Sequence, residues 1–122
     1  MVTLASFKYA LRGIRAVVSS ERNAKVHILF AILAIGLAIV LQISTMEFLF
    51  VFFTILLVFF AEIINTAIEK TLDLISQENN HMVQQIKDMM AGAVLVTAVA
   101  AVVVAVVIFG PHLWQLITTL KK

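Results

Sequence analysis

The sequence contains no cysteine, and this absence excludes disulfide bonds and thiolate metal sites. Charged residues make up only 13% of the chain, whereas soluble globular domains have about a quarter. With one proline and four glycines, there is no segment that resembles a flexible linker. Neither a GxxxxGK[ST] loop nor a kinase glycine-rich loop is present, so any nucleotide site must be built in another way.

Apolar residues are abundant instead, at 62% of the 122 residues, and they are concentrated in long runs. A helix that crosses a bilayer needs about 20 mostly apolar residues. Three stretches meet this requirement, at about 27–44, 47–75 and 86–110. We therefore expect an all-α membrane protein, with residues 1–122 forming a single membrane-embedded domain and a polar connection at 76–88.

The N-terminal segment, about 3–20, has an amphipathic pattern. Its apolar residues recur at helical spacing and its basic residues lie off that stripe: Leu4, Phe7, Leu11, Ile14 and Val18 against Lys8, Arg12 and Arg15. Such a helix suits the plane of an anionic membrane surface. The simplest alternative is a helix that serves only as an anchor.

Basic residues also predict the orientation of the chain. Five of them precede the first span, namely Lys8, Arg12, Arg15, Arg22 and Lys25. Lys70 and Lys87 flank the second connection, whereas the turn at 42–47 has no Lys or Arg. The positive-inside rule therefore places the N-terminus in the cytoplasm, although Lys121 and Lys122 then lie outside.

A polar stripe begins where the second apolar run ends. At about 100° per residue, its five members fall within about 100° of one helix face: Glu62, Asn65, Thr66, Glu69 and Asp73. An acidic side chain in the middle of a membrane helix costs about 2.5–3.5 kcal/mol on insertion scales. Polar contacts between helices are the simplest explanation, but the cost favours a functional role.

The two glutamates of the stripe, Glu62 and Glu69, lie about 10 Å apart along the helix. They cannot clamp one ion together, but they can serve two steps of one reaction. Glu21 lies at the depth of Glu69, and two carboxylates with phosphate oxygens suit Mg²⁺. Lys87 and Asp88 lie at the same depth, where a lysine could neutralise phosphate charge or simply anchor the helix.

Two motifs resemble those of the bacterial integral-membrane diacylglycerol kinase family, whose Gram-positive branch phosphorylates undecaprenol. "AEIINTAIEKTLDLI" contains the pattern E-x-x-N-[ST]-A-I-E from Glu62 to Glu69, and "IKDMMAGAVLV" contains a K-D pattern that begins at Lys87. "SFKYALRGIR" and "SERNAKVH" resemble the N-terminal half of the undecaprenol kinase branch.

This resemblance implies a homotrimer in the bacterial inner membrane, with active sites shared between subunits at the cytoplasmic boundary. The implied roles are a general base at the lipid hydroxyl (Glu62), an orienting residue (Asn65), ligands of ATP-bound Mg²⁺ (Glu21 and Glu69) and further nucleotide contacts (Tyr9, Lys87 and Asp88). It also implies no nucleic-acid partner.

The expected activity is therefore ATP-dependent phosphorylation of a lipid alcohol. Undecaprenol is favoured because of the "SERNAKVH" segment and the short N-terminus, and diacylglycerol is the alternative. A different class is a small proton-coupled transporter with Glu62 as the coupling carboxylate, and a third is a structural or channel-forming oligomer. Neither explains why Glu21, Glu69, Lys87 and Asp88 share one depth.

Overall fold

The computed structural model describes residues 3–76 and 80–122, and this part of the chain is helical throughout apart from short connections. Its four helices are α1 (Leu4–Ser20), α2 (Arg22–Val40), α3 (Thr45–Ile75) and α4 (His81–Leu120). The expected all-α architecture is confirmed. Within the predicted polar connection at 76–88, residues 77–79 lie outside the described residues.

Three of these helices, α2, α3 and α4, are long and apolar enough to cross a membrane. With 31 residues, α3 is about 46 Å long, and α4 with 40 residues is about 60 Å long. Both exceed the hydrocarbon thickness of about 30 Å. Each therefore has room for a polar end outside the hydrocarbon core.

A single residue, Glu21, separates α1 from α2. Its backbone is extended, with φ −101° and ψ 121°. Its N–H donates to Val17 O at 2.9 Å, and its carbonyl accepts from Lys25 N at 3.3 Å. The connection is thus one residue long, and α2 begins at Arg22, before the predicted span at about 27–44. Hydropathy indicates where a helix enters the lipid. The helix itself can start earlier, because polar residues such as the Arg, Asn and Lys at the start of α2 are compatible with helical structure outside the membrane.

A tight turn joins α2 to α3. Gln42 adopts a left-handed conformation with φ 51°. Gln42 N–H bonds to Ile39 O at 3.2 Å and Ile43 N–H bonds to Ala38 O at 3.3 Å, the pattern of a Schellman motif. Glycine usually occupies this position because it has no Cβ to clash there.

The first turn of α3 is closed by a capping box. Ser44 Oγ accepts from Glu47 N at 3.2 Å, and Glu47 Oε2 accepts from Ser44 N at 2.8 Å. The Glu47 carboxylate also meets His112 Nε2 at 3.1 Å. Because His112 belongs to α4, this contact ties the start of α3 to the far part of α4.

The main helix contact is between α3 and α4, and α2 packs on α3 beside it. A small apolar core of Ala38, Val51, Ile108 and Phe109 lies near the 41–44 turn. Helix α4 continues through Pro111, past the expected end of the span at residue 110. Proline is tolerated in membrane helices where local adjustments satisfy the freed carbonyl.

Candidate active site

Three polar side chains are buried in the middle of α3. Glu62 is 1% exposed, Thr66 is 2% exposed and Asn65 is 9% exposed. They share one face because residues three and four apart on a helix are neighbours. Helices α1 and α2 pack on the same helix, and Val17 and Ala24 of those helices are also buried. The polar stripe predicted from the sequence therefore faces the protein interior at its first three members.

Each of these side chains has an atom without a hydrogen-bond partner among the described residues. The three atoms are Glu62 Oε2, Asn65 Oδ1 and Thr66 Oγ1. An unsatisfied buried donor or acceptor costs about 1–3 kcal/mol, and more where the group is charged. Three such atoms along one helix face are unusual for a structural interface, and they suit a site that binds a ligand.

The Glu62 carboxylate has three ionisable neighbours from separate parts of the chain. His27 Nε2 of α2 lies 3.8 Å from Glu62 Oε2. Glu21, between α1 and α2, and Glu69, two turns further along α3, both interact with Glu62 electrostatically. The fold therefore places Glu21 and Glu69 within electrostatic range of Glu62.

Lys87 extends this cluster to α4. Its Nζ is 2.7 Å from Asp73 Oδ1, and it also interacts electrostatically with Glu69. The Asp73 side chain is 64% exposed, so this ion pair lies at the polar end of α3. Lys87 therefore lies near Glu69, and its ion-pair partner is the carboxylate of Asp73.

Tyr9 and Asp88 make no hydrogen bond or ion pair with the other predicted site residues within 3–76 and 80–122. Tyr9 is exposed on α1, with the Arg12 guanidinium 5.6 Å from its ring centroid. Asp88 Oδ1 accepts from Gln84 Nε2 at 2.9 Å, on the surface of α4. In a single chain His27 lies near Glu62, and Glu21 and Glu69 interact with it electrostatically, while Tyr9 and Asp88 lie on the exposed surfaces of α1 and α4.

The donor set suits a hard cation. No group of three or more His, Asp or Glu side chains converges to hold a metal ion in the described ranges. Glu21 and Glu69 offer carboxylate oxygens, and both interact electrostatically with Glu62. Mg²⁺ prefers oxygen ligands and is often held by one or two carboxylates with substrate phosphates, so these residues fit a Mg²⁺–nucleotide site.

An open apolar groove with a volume of about 410 Å³ lies between α2, α3 and α4, and some of its lining side chains, such as Phe30 and Val102, are more than 60% exposed. His27 lines one end of it, and most of the remaining wall consists of Ala, Val, Ile and Phe side chains. The buried carboxylate of Glu62 lies just beyond His27. A ligand with a polar head and an apolar tail would match this arrangement.

Residues 8–109 match the family model described as prokaryotic diacylglycerol kinase. The chain belongs to this family. An undecaprenol kinase of Bacillus subtilis is 36% identical over 108 residues, which cover 88% of each chain. A diacylglycerol kinase of Synechocystis sp. is 34% identical over 93% of this chain and 65% of the relative. The diacylglycerol kinase of Escherichia coli strain K12 is 28% identical over 85% of each.

Membership of this family confirms that the chain is a lipid kinase, an enzyme that transfers phosphate to a lipid alcohol. It also confirms the resemblance carried by the Glu62–Glu69 and Lys87 motifs. The transporter alternative finds no support in any of these relatives.

Sequence reasoning missed the position of His27. Its contact with Glu62 joins residues of two different helices. No local spacing reports such a contact, since it depends on how α2 packs against α3.

Proposed function

We propose that the protein transfers the γ-phosphate of ATP to a lipid alcohol, with undecaprenol as the preferred substrate and diacylglycerol as the alternative. Two observations support undecaprenol: the 36% identity with the Bacillus subtilis undecaprenol kinase, and the "SERNAKVH" segment at 20–27. Phosphorylation of diacylglycerol would give phosphatidic acid, and phosphorylation of undecaprenol would give undecaprenyl phosphate.

The observation that carries the proposal is the buried, unpartnered carboxylate oxygen of Glu62. A lipid hydroxyl arriving there would donate a hydrogen bond to that oxygen. As the hydroxyl attacks the γ-phosphorus, its proton passes to Glu62, which is therefore the general base. One P–O bond forms to the lipid and the bond to the ADP oxygen breaks, in line with the attack. Asn65 lies one turn away and would orient these groups.

Glu21 and Glu69 would hold the Mg²⁺ that accompanies ATP. The bound ion would supply charge neutralisation on the β- and γ-phosphates. Glu21 and Glu69 are both half-buried, whereas Glu62 is 1% exposed. The base and the metal ligands therefore have separate tasks at separate depths.

Lys87 would contact phosphate. Its present partner is the exposed Asp73, so a triphosphate could replace that carboxylate at little cost. Tyr9 and Asp88 would lie at the nucleotide from α1 and α4. Both are exposed in the single chain, as expected for residues that complete a site together with a ligand or another subunit.

The proposed setting is the bacterial inner membrane, with residues 1–122 as one domain and the N-terminus cytoplasmic. Helix α1 would lie on the membrane surface, because its apolar residues Leu4, Phe7 and Leu11 are exposed in the single chain. We further propose a homotrimer whose subunits share active sites. The wide apolar surface of α2, α3 and α4 offers the area that both lipid and neighbouring subunits would cover.

A transfer assay on the purified full chain tests the proposed function. Protein in detergent micelles receives Mg²⁺ and γ-labelled ATP, with undecaprenol in one arm, diacylglycerol in a second and no lipid in a third. We expect labelled lipid in the undecaprenol arm at a higher kcat/KM than in the diacylglycerol arm. A higher value for diacylglycerol would reverse the substrate assignment, and label in neither lipid would remove the kinase proposal.

A further inference from the structure

The last turns of α4, residues 113–120, form an amphipathic segment. Its apolar residues follow the i, i+3, i+4, i+7 pattern and fall within about 100° of one helix face: Leu113, Leu116, Ile117 and Leu120. We call this face the terminal stripe. All of its members are exposed in the single chain, from 37% at Leu113 to 78% at Leu120. The match with the family model ends at residue 109 and does not include this segment.

The contact between Glu47 and His112 gives the depth of this segment. His112 Nε2 lies 3.1 Å from Glu47 Oε2, and Glu47 belongs to the capping box at the start of α3. His112 is therefore level with the turn at 41–44, at the edge of the apolar spans. At 1.5 Å per residue, Leu120 lies about 12 Å further along the helix. The headgroup layer is only about 5–7 Å thick on each side, so a helix perpendicular to the membrane would carry Leu120 into water.

Pro111 allows the segment to lean toward the membrane surface. Proline has no N–H to donate to the carbonyl four residues earlier, and sharp helix bends are commonly found at this residue. The hydroxyl groups of Thr118 and Thr119 donate to backbone carbonyls of the same helix at 2.9–3.0 Å, so neither depends on water. A leaning helix can therefore keep the terminal stripe against the lipid and its opposite face in water without losing these bonds.

Length and charge favour the membrane surface over a second copy of the chain as the cover of the terminal stripe. The stripe spans only eight residues, whereas helices that associate through such stripes keep the pattern for about three or four heptads. No acidic residue follows Asp88 in the sequence, and the charged side chains next to the stripe are Lys121 and Lys122. Copies packed along the stripe would bring these lysines together, whereas lipid phosphates would attract them. Trp114 is 70% exposed beside the stripe, and tryptophan is enriched where a chain meets the membrane surface.

We propose that residues 113–122 dock on the outer surface of the membrane, with the terminal stripe in the headgroup layer and Lys121 and Lys122 bound to the phosphates of anionic phospholipids. Two lysines on the outer side are an exception to the positive-inside rule, and phosphate binding gives them a role. Through the Glu47–His112 contact, the docked segment holds the outer ends of α3 and α4 at a fixed depth. The inference goes beyond the kinase reaction and uses only the proposed orientation of the chain.

Spin labels measure which face of the segment meets the lipid. Because the chain has no cysteine, Ile117→Cys and Gln115→Cys each give a single labelling site, and the two sites are about 160° apart on the helix. Both side chains are exposed, so both variants should keep the wild-type helix content. The labelled full chain is placed in phosphatidylcholine nanodiscs that contain phosphatidylglycerol. The label at 117 should collide several-fold more often with oxygen than with a water-soluble nickel chelate, and the label at 115 should show the reverse.

Two results of the labelling would overturn the inference. Free access of the nickel chelate to both labels would show that the segment stands in water. Shielding of both labels from the chelate, with spin–spin broadening at 117, would show that a second copy of the chain covers the terminal stripe.

A second arm removes the positive charge. Attraction to an anionic surface is worth about a factor of five for each lysine, so Lys121→Gln/Lys122→Gln should lower the ratio of docked to undocked segment about 25-fold. The two components in the spectrum of the label at 117 give that ratio. Lys8→Gln/Lys25→Gln makes the same change of charge on the other side of the membrane and should leave the ratio unchanged. An equal ratio in the Lys121/Lys122 variant and the wild type would overturn the phosphate contact. Neither arm measures phosphoryl transfer, so failure here would leave the proposed kinase function standing.

Discussion

At the scale of single residues, the burial of the Glu62 carboxylate carries a large free-energy cost. Glu62 is 1% exposed, within a helix of aromatic and aliphatic residues, and one of its oxygens has no partner in the described structure. Insertion of a carboxylate into the bilayer core costs about 2.5–3.5 kcal/mol. Asn65 and Thr66 add two more unsatisfied atoms on the same face. Binding of a substrate would offset these free-energy costs, because its hydroxyl would form hydrogen bonds with the unpartnered atoms.

The polar stripe of α3 could be identified from the sequence because its residues lie on one helix. Helical phase alone places Glu62, Asn65 and Thr66 on a common face, and the structure buries all three. Glu21 and Lys87 come from other segments, and their expected depth marked them as candidates before the family motifs implied their roles. His27 could not be found in either way, because its position beside Glu62 depends on a contact between α2 and α3.

The metal ligands give a prediction that separates them from the base. Glu69→Gln removes one anionic oxygen ligand, so the Mg²⁺ concentration for half-maximal activity should rise about tenfold or more. Activity at saturating Mg²⁺ should be partly recovered, because the base is intact. Titration of activity with Mg²⁺ at fixed ATP checks this, with Asp73→Asn as the control on the same helix. An unchanged Mg²⁺ requirement in Glu69→Gln would exclude it as a ligand.

At the scale of the elements, the helices were predictable and their ends were not. Hydropathy predicted three spans, and the structure has three long apolar helices. Helix α2 starts earlier than the hydropathy boundary, and α4 runs on to Leu120 through Pro111. Hydropathy reports contact with lipid, while helix ends depend on backbone hydrogen bonds such as those of Glu21 and Ser44.

The turn between α2 and α3 gives a prediction about stability. Gln42 has φ 51°, and a left-handed conformation costs a residue with a Cβ about 1–2 kcal/mol. Gln42→Gly removes that strain but adds backbone entropy to the unfolded chain, so a net gain of about 0.5 kcal/mol is expected. Gln42→Val should destabilise the protein, because β-branched residues are outliers there. Thermal unfolding in micelles should rank Gly above Gln above Val, and Val at or above the wild type would contradict the turn geometry.

At the scale of the whole molecule, one chain leaves much of its apolar surface exposed. Phe50, Phe53 and Phe60 of α3 and Val102 and Val106 of α4 are all exposed. Lipid tails can cover such a surface, and so can neighbouring subunits. Within residues 3–76 and 80–122, Tyr9 and Asp88 make no hydrogen bond or ion pair with the other proposed site residues, as expected if a neighbouring subunit brings them to the site. Both features favour the proposed homotrimer with shared active sites.

Shared sites predict complementation between inactive chains. If Asp88 comes from a different subunit than Glu62, mixed oligomers of Glu62→Gln and Asp88→Asn chains contain some sites with neither substitution. Co-expression of the two variants should then restore a fraction of the wild-type activity, up to about a quarter, whereas each variant alone is nearly inactive. Activity no higher than that of the separate variants would place both residues in one subunit.

The central claim is that the buried carboxylate of Glu62 takes the proton from a lipid hydroxyl. The most direct measurement is the rate of phosphoryl transfer from Mg·ATP to the lipid at saturating substrates, in wild type, Glu62→Gln and Glu47→Gln. Glu47→Gln is the control, because it changes a carboxylate of the same helix whose partners are Ser44 and His112. Glu62→Gln should lower kcat about 10²- to 10⁴-fold with ATP binding unchanged, while Glu47→Gln should stay near the wild type. A Glu62→Gln enzyme with a wild-type kcat would contradict the claim.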